Sequence, residues 1–176
     1  MMNFFRAGMV VLLAGVLALG AAGAQTQTRV DASKDWSVFQ AGAEGQRICW
    51  IVSKPTGWAA HRGGKKVEVR RGDIFLMVSI RPADGVVNEI SYLGGYPFKP
   101  GSKVEVKVGT ENYSMFTEGE NAWSPSPQDD AKLIDAFRRG SNAKLEGESA
   151  RGTRTIDTFS LSGFSAALES ATGLCK

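Results

Sequence analysis

The run Lys103-Val104-Glu105-Val106-Lys107-Val108 alternates charge and valine without a break. That period of two places three valines on one face of a strand and three charges on the other, which a helix cannot do. Short runs of similar kind, punctuated by Gly, Pro and Asp, fill the chain from Trp36 onward. Strands are expected at Trp36 to Gln40, Arg47 to Ser53, Lys66 to Arg70, Ile74 to Arg81, Val86 to Leu93, Lys103 to Val108, Asn112 to Thr117, Ala143 to Ser149 and Thr153 to Leu161. This spacing is the pattern of sandwiches and barrels. Ile74 to Ile80 is apolar at nearly every position and is expected to be a central strand covered on both faces. The expected fold is mainly β: a β-sandwich-like single domain with two short helices and one disulfide.

The first helix has both its signals. Ser126 can cap it, Pro127 suits the first helical position, Asp129 completes the capping pattern, and Gly140 follows Arg138-Arg139 as a stop. Leu133, Ile134 and Phe137 share one face, the face that docks on a sheet. The second helix follows Ser162, with Phe164, Ala167, Leu168 and Ala171 along one stripe and Gly173 as its expected stop.

Residues 1–24 read as a signal peptide: Arg6 precedes an apolar run from Ala7 to Ala22, and Ala22-Gly23-Ala24 fits the small-residue cleavage rule. Cleavage there starts the mature chain at Gln25, leaves residues 25–35 as a flexible lead-in, and assigns 36–176 to the domain. An uncleaved leader would instead be an anchor. The expected location is periplasmic or secreted, an oxidising setting in which Cys49 and Cys175 read as a disulfide. Such a bond would staple the end of the chain to an early strand. The net charge of +3 is mixed in sign, and no run after the leader is long enough to span a bilayer. These features give no reason for a nucleic-acid partner, and no integral membrane segment is expected after cleavage.

No catalytic set, metal site or cofactor is expected. His61 is the single histidine and sits in a turn-like stretch without a nucleophile elbow or ligand spacing, so it reads as a solvated residue. Glu118 and Glu120 with Trp123 could form the paired carboxylates and platform of a sugar-cleaving enzyme, or a solvated loop. Arg71-Gly72-Asp73 spells a receptor-recognition tripeptide, but turn chemistry between Val67-Glu68-Val69 and Ile74-Phe75-Leu76 explains it better. The loop Gly94 to Gly101 holds Tyr96 and Phe98 among glycines and prolines, where they either pack inward or face a partner.

Four stretches together resemble the invasion-associated locus B family of alphaproteobacterial envelope proteins. They are Arg70 to Arg81, Gly94-Gly95-Tyr96-Pro97-Phe98, Phe116-Thr117-Glu118-Gly119-Glu120-Asn121-Ala122-Trp123, and Thr158 to Ala167, followed by the C-terminal cysteine. The resemblance implies a secreted or periplasmic β-sandwich-like domain with no established enzymatic activity, linked by name to host-cell entry in some pathogens. It supplies no site residues. The leading expectation is a non-enzymatic accessory or interaction domain for an unknown envelope or host protein, with Trp58, Tyr96, Phe98 and Trp123 as interaction candidates. A small-ligand-binding module and an envelope-polymer hydrolase are the rivals.

Overall fold

The computed structural model describes residues 27–176, so the leader and its cleavage site lie outside the described residues. In chain order the elements are β1 (Thr28–Ser33), β2 (Trp36–Ala41), β3 (Ile48–Ser53), β4 (Gly57–Arg62), β5 (Lys65–Lys66), β6 (Phe75–Arg81) and β7 (Val86–Leu93). There follow β8 (Lys103–Val108), β9 (Glu111–Glu118), β10 (Asn121–Trp123), α1 (Pro127–Arg139), β11 (Asn142–Glu148), β12 (Arg154–Ser160) and α2 (Phe164–Leu174). The strands form one antiparallel twelve-stranded sheet in the order β1-β2-β3-β6-β7-β10-β9-β8-β11-β12-β4-β5.

Strands remote in that order meet across the core, which is why one sheet gives a sandwich-like, mainly β fold. The Trp36 indole of β2 donates to the Ser160 carbonyl at the end of β12 (3.0 Å), and Tyr92 of β7 packs edge-on against Phe159 of β12 (6.1 Å). The longer inner strands supply alternate residues to this interior: in β8, Val104, Val106 and Val108 are buried while the intervening charges are exposed. α1 starts as its residues dictate, with Ser126 Oγ accepting from the Asp129 amide (3.2 Å) and Gly140 beyond its end. It packs on β7, and Phe137 meets Phe164 of α2 edge-on at 5.4 Å.

α2 lies over β1, β2 and β3 and is stapled to β3 by the Cys49–Cys175 disulfide, whose ends are 126 residues apart. The helix follows Ser162 as expected, with Gly163 in the cap position before Phe164. Gly163 has φ +90°, and a Cβ there would lie 2.0 Å from the Ser33 carbonyl oxygen, so the start is set by close approach to the β1–β2 turn. The helix also runs through Gly173, the expected stop, because the disulfide and an Arg47 hydrogen bond to the Leu174 carbonyl (2.8 Å) hold its last turn.

Other expectations are corrected. Residues 28–33 of the expected lead-in form β1, an edge strand exposed on both faces that is defined by pairing with β2 and so carries no hydrophobic alternation. β4 was not expected: Gly57-Trp58-Ala59-Ala60-His61-Arg62 has little strand character and takes its conformation from the ladder with β12. Lys66 to Arg70 is not a strand; only Lys65–Lys66 pair. β6 is central but not covered on both faces, since Leu76, Val78 and Ile80 enter the core while Phe75 and Met77 line an outer groove.

Candidate functional site

The tripeptide Arg71-Gly72-Asp73 is a lock in the fold. The Arg71 side chain is 4% exposed and forms a two-pronged pair with Asp157 of β12, which is fully buried (2.7 and 2.6 Å). The same guanidinium donates to the Gly94 carbonyl (3.0 and 2.6 Å) and lies over the Tyr96 ring at 4.9 Å. The Tyr92 hydroxyl donates to the Asp157 carboxylate. Burial lowers the guanidinium's affinity for its proton, but the hydrogen bond and charge of Asp157 outweigh this and leave Arg71 above its ordinary value. Burial, with the neighbouring Asp157 charge, drives the Tyr92 phenol far above the usual range, so it stays a donor. With its arginine enclosed, the tripeptide cannot serve as a receptor motif.

The same lock decides two interaction candidates. Tyr96 and Phe98 are only 7% and 5% exposed, because the loop from Gly94 is laced to three segments. The Phe98 amide bonds the Gly119 carbonyl, the Ala150 amide bonds the Pro97 carbonyl, and the Gly72 amide bonds the Gly95 carbonyl. Gly95 has φ +71°, and a Cβ there would sit 2.7 Å from the Gly72 carbonyl oxygen. Tyr96 and Phe98 are therefore core residues, and neither offers a contact surface.

Trp123 lies differently. β10 pairs with both β7 and β9, and its register sets Trp123 directly opposite Phe116. Met115 and Ala122 point into the core, so their neighbours Phe116 and Trp123 face outward and stack, with ring centres 5.7 Å apart. On the next strand a bulge adds one residue to β7 opposite Ser79 to Arg81, and Asn88 adopts φ +59° within it. Val87 beside it is 66% exposed. Phe116, Trp123, Val86, Val87 and Pro125, together with the start of α1, enclose an open groove of about 550 Å³. Its charged lining residues are Glu89, Glu118 and Asp130.

Phe116 was not singled out as a contact residue from the sequence, and Asp130 reads there only as part of a helix start and its polar face, whereas it is buried. Phe116 carries a readable signal, since it is a large apolar residue in the outward phase of a strand whose inward phase is Met115. Asp130 carries none: its carboxylate accepts from the Ile90 amide (3.0 Å), a contact created by docking α1 on β7.

Burial is the main cause that pushes the Asp130 carboxyl above its ordinary value, against the bonds from Ile90 and Ser124 and with help from the charges of Glu89 and Asp129. The folded state then holds this proton more tightly than the unfolded chain does. Its contribution therefore makes stability fall as pH rises from the ordinary carboxylate range through the raised value, and stay lower above it. Asp130→Asn, which can keep an oxygen toward Ile90, is expected to remove that fall. Urea titrations between about pH 4 and pH 7 check this, and an unaltered difference from wild type across the range would count against it.

The remaining candidates are dispersed. Trp58 is 48% exposed on β4, with Arg71 5.9 Å from its ring, and does not line the groove that holds Trp123. Glu118 lines that groove, whereas Glu120 occupies the β9–β10 turn and does not line it. His61 lies in β4 rather than in a turn, with Nδ1 buried and unpartnered. Among the described residues no group of three or more His, Cys, Asp or Glu could hold a metal ion, and no helix is long and apolar enough to cross a membrane. A second open groove of about 560 Å³ lies on the outer face of β2, β3 and β6, lined by Phe39, Trp50, Val52, Phe75 and Met77, with Asp35 and Lys54 as its charges.

Comparison with known proteins agrees with this architecture. A family described as invasion associated locus B (IalB) protein matches residues 36–172. The crystal structure of invasion associated protein B from Bartonella henselae aligns with a TM-score of 0.54 at 19% identity, covering 82% of this chain and 96% of that one. No curated protein sequence matches the chain.

Proposed function

We propose, for a chain that belongs to the invasion associated locus B family, an extracytoplasmic accessory role exercised by binding rather than by catalysis, with a protein of the envelope or of a host cell as partner. Export by the leader at residues 1–24 and release into the periplasm or beyond are part of the proposal. The observation that carries it is the outward stack of Phe116 on Trp123 over the groove at β7, β10 and α1. Strand alternation would ordinarily put polar residues there, and stacked rings on a solvent face, flanked by an exposed valine, have the character of a contact site. Trp58, also exposed, extends the set of contact candidates on a different strand.

The test is reversible cross-linking in living cells, with capture of the tagged chain and quantitative mass spectrometry, for wild type and for Phe116→Ala/Trp123→Ala. The expected result is a partner recovered in comparable amount with wild type and reduced at least about tenfold with the double variant, whose melting temperature should stay close to wild type. Equal recovery with both would reject the groove as the contact site. A second reading, binding of a small apolar ligand, is favoured by the apolar lining of the outer groove on β2, β3 and β6. It would be supported instead if the chain were recovered alone, carrying a non-covalently bound small molecule.

A further inference from the structure

We infer that the groove beside Trp123 selects a cationic peptide segment, one in which a lysine or arginine is flanked by apolar residues. The inference rests on the groove being the binding site and adds the chemistry of its occupant. All the charged residues in its lining are carboxylates: Glu89, Glu118 and Asp130. Glu89 is already paired with Arg81 (3.1 Å), and Asp130 is partly spent on the Ile90 amide. Glu118 forms no ion pair or side-chain hydrogen bond among the described residues and follows Phe116 by two on the same strand face. A cation, Lys103, is opposite Phe116, but on β8, the flank away from Trp123.

An anionic occupant is disfavoured even though the groove includes the start of α1. That helix end is already compensated, since Ser126 caps it and Asp129 and Asp130 occupy its first turn. A neutral glycan could donate hydroxyls to these carboxylates but would leave the charge of Glu118 uncompensated, and the lining hydroxyls of Ser124 and Ser126 are already engaged by Asp130 and Asp129. An ammonium or guanidinium group over the Trp123 or Phe116 ring and against Glu118 satisfies both kinds of surface at once, by attraction to the ring face and to the carboxylate.

The test uses the chain from Gln25 and three capped six-residue peptides with the same apolar flanks, carrying two arginines, two glutamines or two glutamates at the centre. Backbone amide shifts in the protein report where each binds. The arginine peptide should shift residues 85–89, 116–118 and 123–130, bind at least about tenfold more tightly than the glutamine peptide, and lose most of that advantage with Glu118→Gln. Trp123→Ala should weaken all three peptides. Equal affinity of the arginine and glutamine peptides at the groove would overturn the charge selection and leave the groove as a neutral docking site. Absence of groove shifts with every peptide, or shifts given instead by a neutral oligosaccharide, would overturn the peptide assignment. The cross-linking comparison decides separately whether the groove is used at all.

Discussion

Arg71→Met is expected to destabilise the protein by about 3–5 kcal/mol, because it leaves the Asp157 carboxylate without its cation in the core. The Tyr92 hydroxyl still donates to that carboxylate but cannot balance its charge. Arg71 also satisfies the Gly94 carbonyl, so the substitution loosens the loop that holds Tyr96 and Phe98 in place. Replacing both partners, as Arg71→Met with Asp157→Leu, removes the buried charge altogether and should cost clearly less than the sum of the single changes, with the Gly94 carbonyl and the buried Tyr92 hydroxyl, both left without a partner, as the main residual losses of about 1–3 kcal/mol each. Denaturant unfolding of the four proteins gives the coupling directly. If Arg71→Met alone costs less than about 1 kcal/mol, the pair behaves like an exposed ion pair and the lock is misjudged.

Breaking the Cys49–Cys175 bond is the second large effect. Closing a chain segment of 126 residues restricts the unfolded ensemble, worth about 5 kcal/mol on the loop-entropy account, an upper figure that denatured-state structure reduces. For a domain of this size that corresponds to a fall in melting temperature of roughly 10–20 °C. Cys49→Ala/Cys175→Ala should show the fall without reductant, and reductant should then have no further effect. The structure also limits where the chain loosens. Phe164, Ala167, Leu168 and Ala171 are buried against the sheet, so most of α2 should stay docked and amide exchange should rise mainly from Ala171 onward. An unchanged melting temperature in the double variant would defeat the prediction. Protection lost along the whole helix would instead show that the bond, and not its apolar face, keeps the helix in place.

Much of the fold was legible because local patterns were strong. β8 has its expected boundaries, as does β7, and α1 begins and ends where Ser126, Pro127 and Gly140 say it should. These elements carry their own instructions: alternation against one buried face, or caps that satisfy the free groups at a helix end. The disulfide could likewise be anticipated from two cysteines behind a stretch that reads as an export signal, and the family from the order of its motifs. Weak or very short elements were missed. β1 has no buried face, β4 is rich in alanine and glycine, and β10 is three residues long, so each exists through its ladder partners and not through propensity.

The candidate site divides along the same line. Tyr96, Phe98 and Trp123 share the same sequence signature, an aromatic residue near glycine or proline, yet two are core and one is on an open groove. What separates them is which segments they meet: Arg71 reaches Asp157 and the Gly94 loop bonds to the β9–β10 turn, enclosing Tyr96 and Phe98, while the short β9–β10 hairpin sets Trp123 opposite Phe116 on the outer face.

By itself the sequence determined a mainly β chain with two helices, one disulfide and a recognisable family, since period, caps and motif order are properties of neighbours along the chain. Only the tertiary structure decided that Arg71-Gly72-Asp73 is enclosed, that Tyr96 and Phe98 are core, and that Phe116, Trp123 and Asp130 share a groove. Those facts depend on which strands pair and which faces meet, contacts made across 86 residues for Arg71 and Asp157 and 40 for Ile90 and Asp130, where no local pattern reaches.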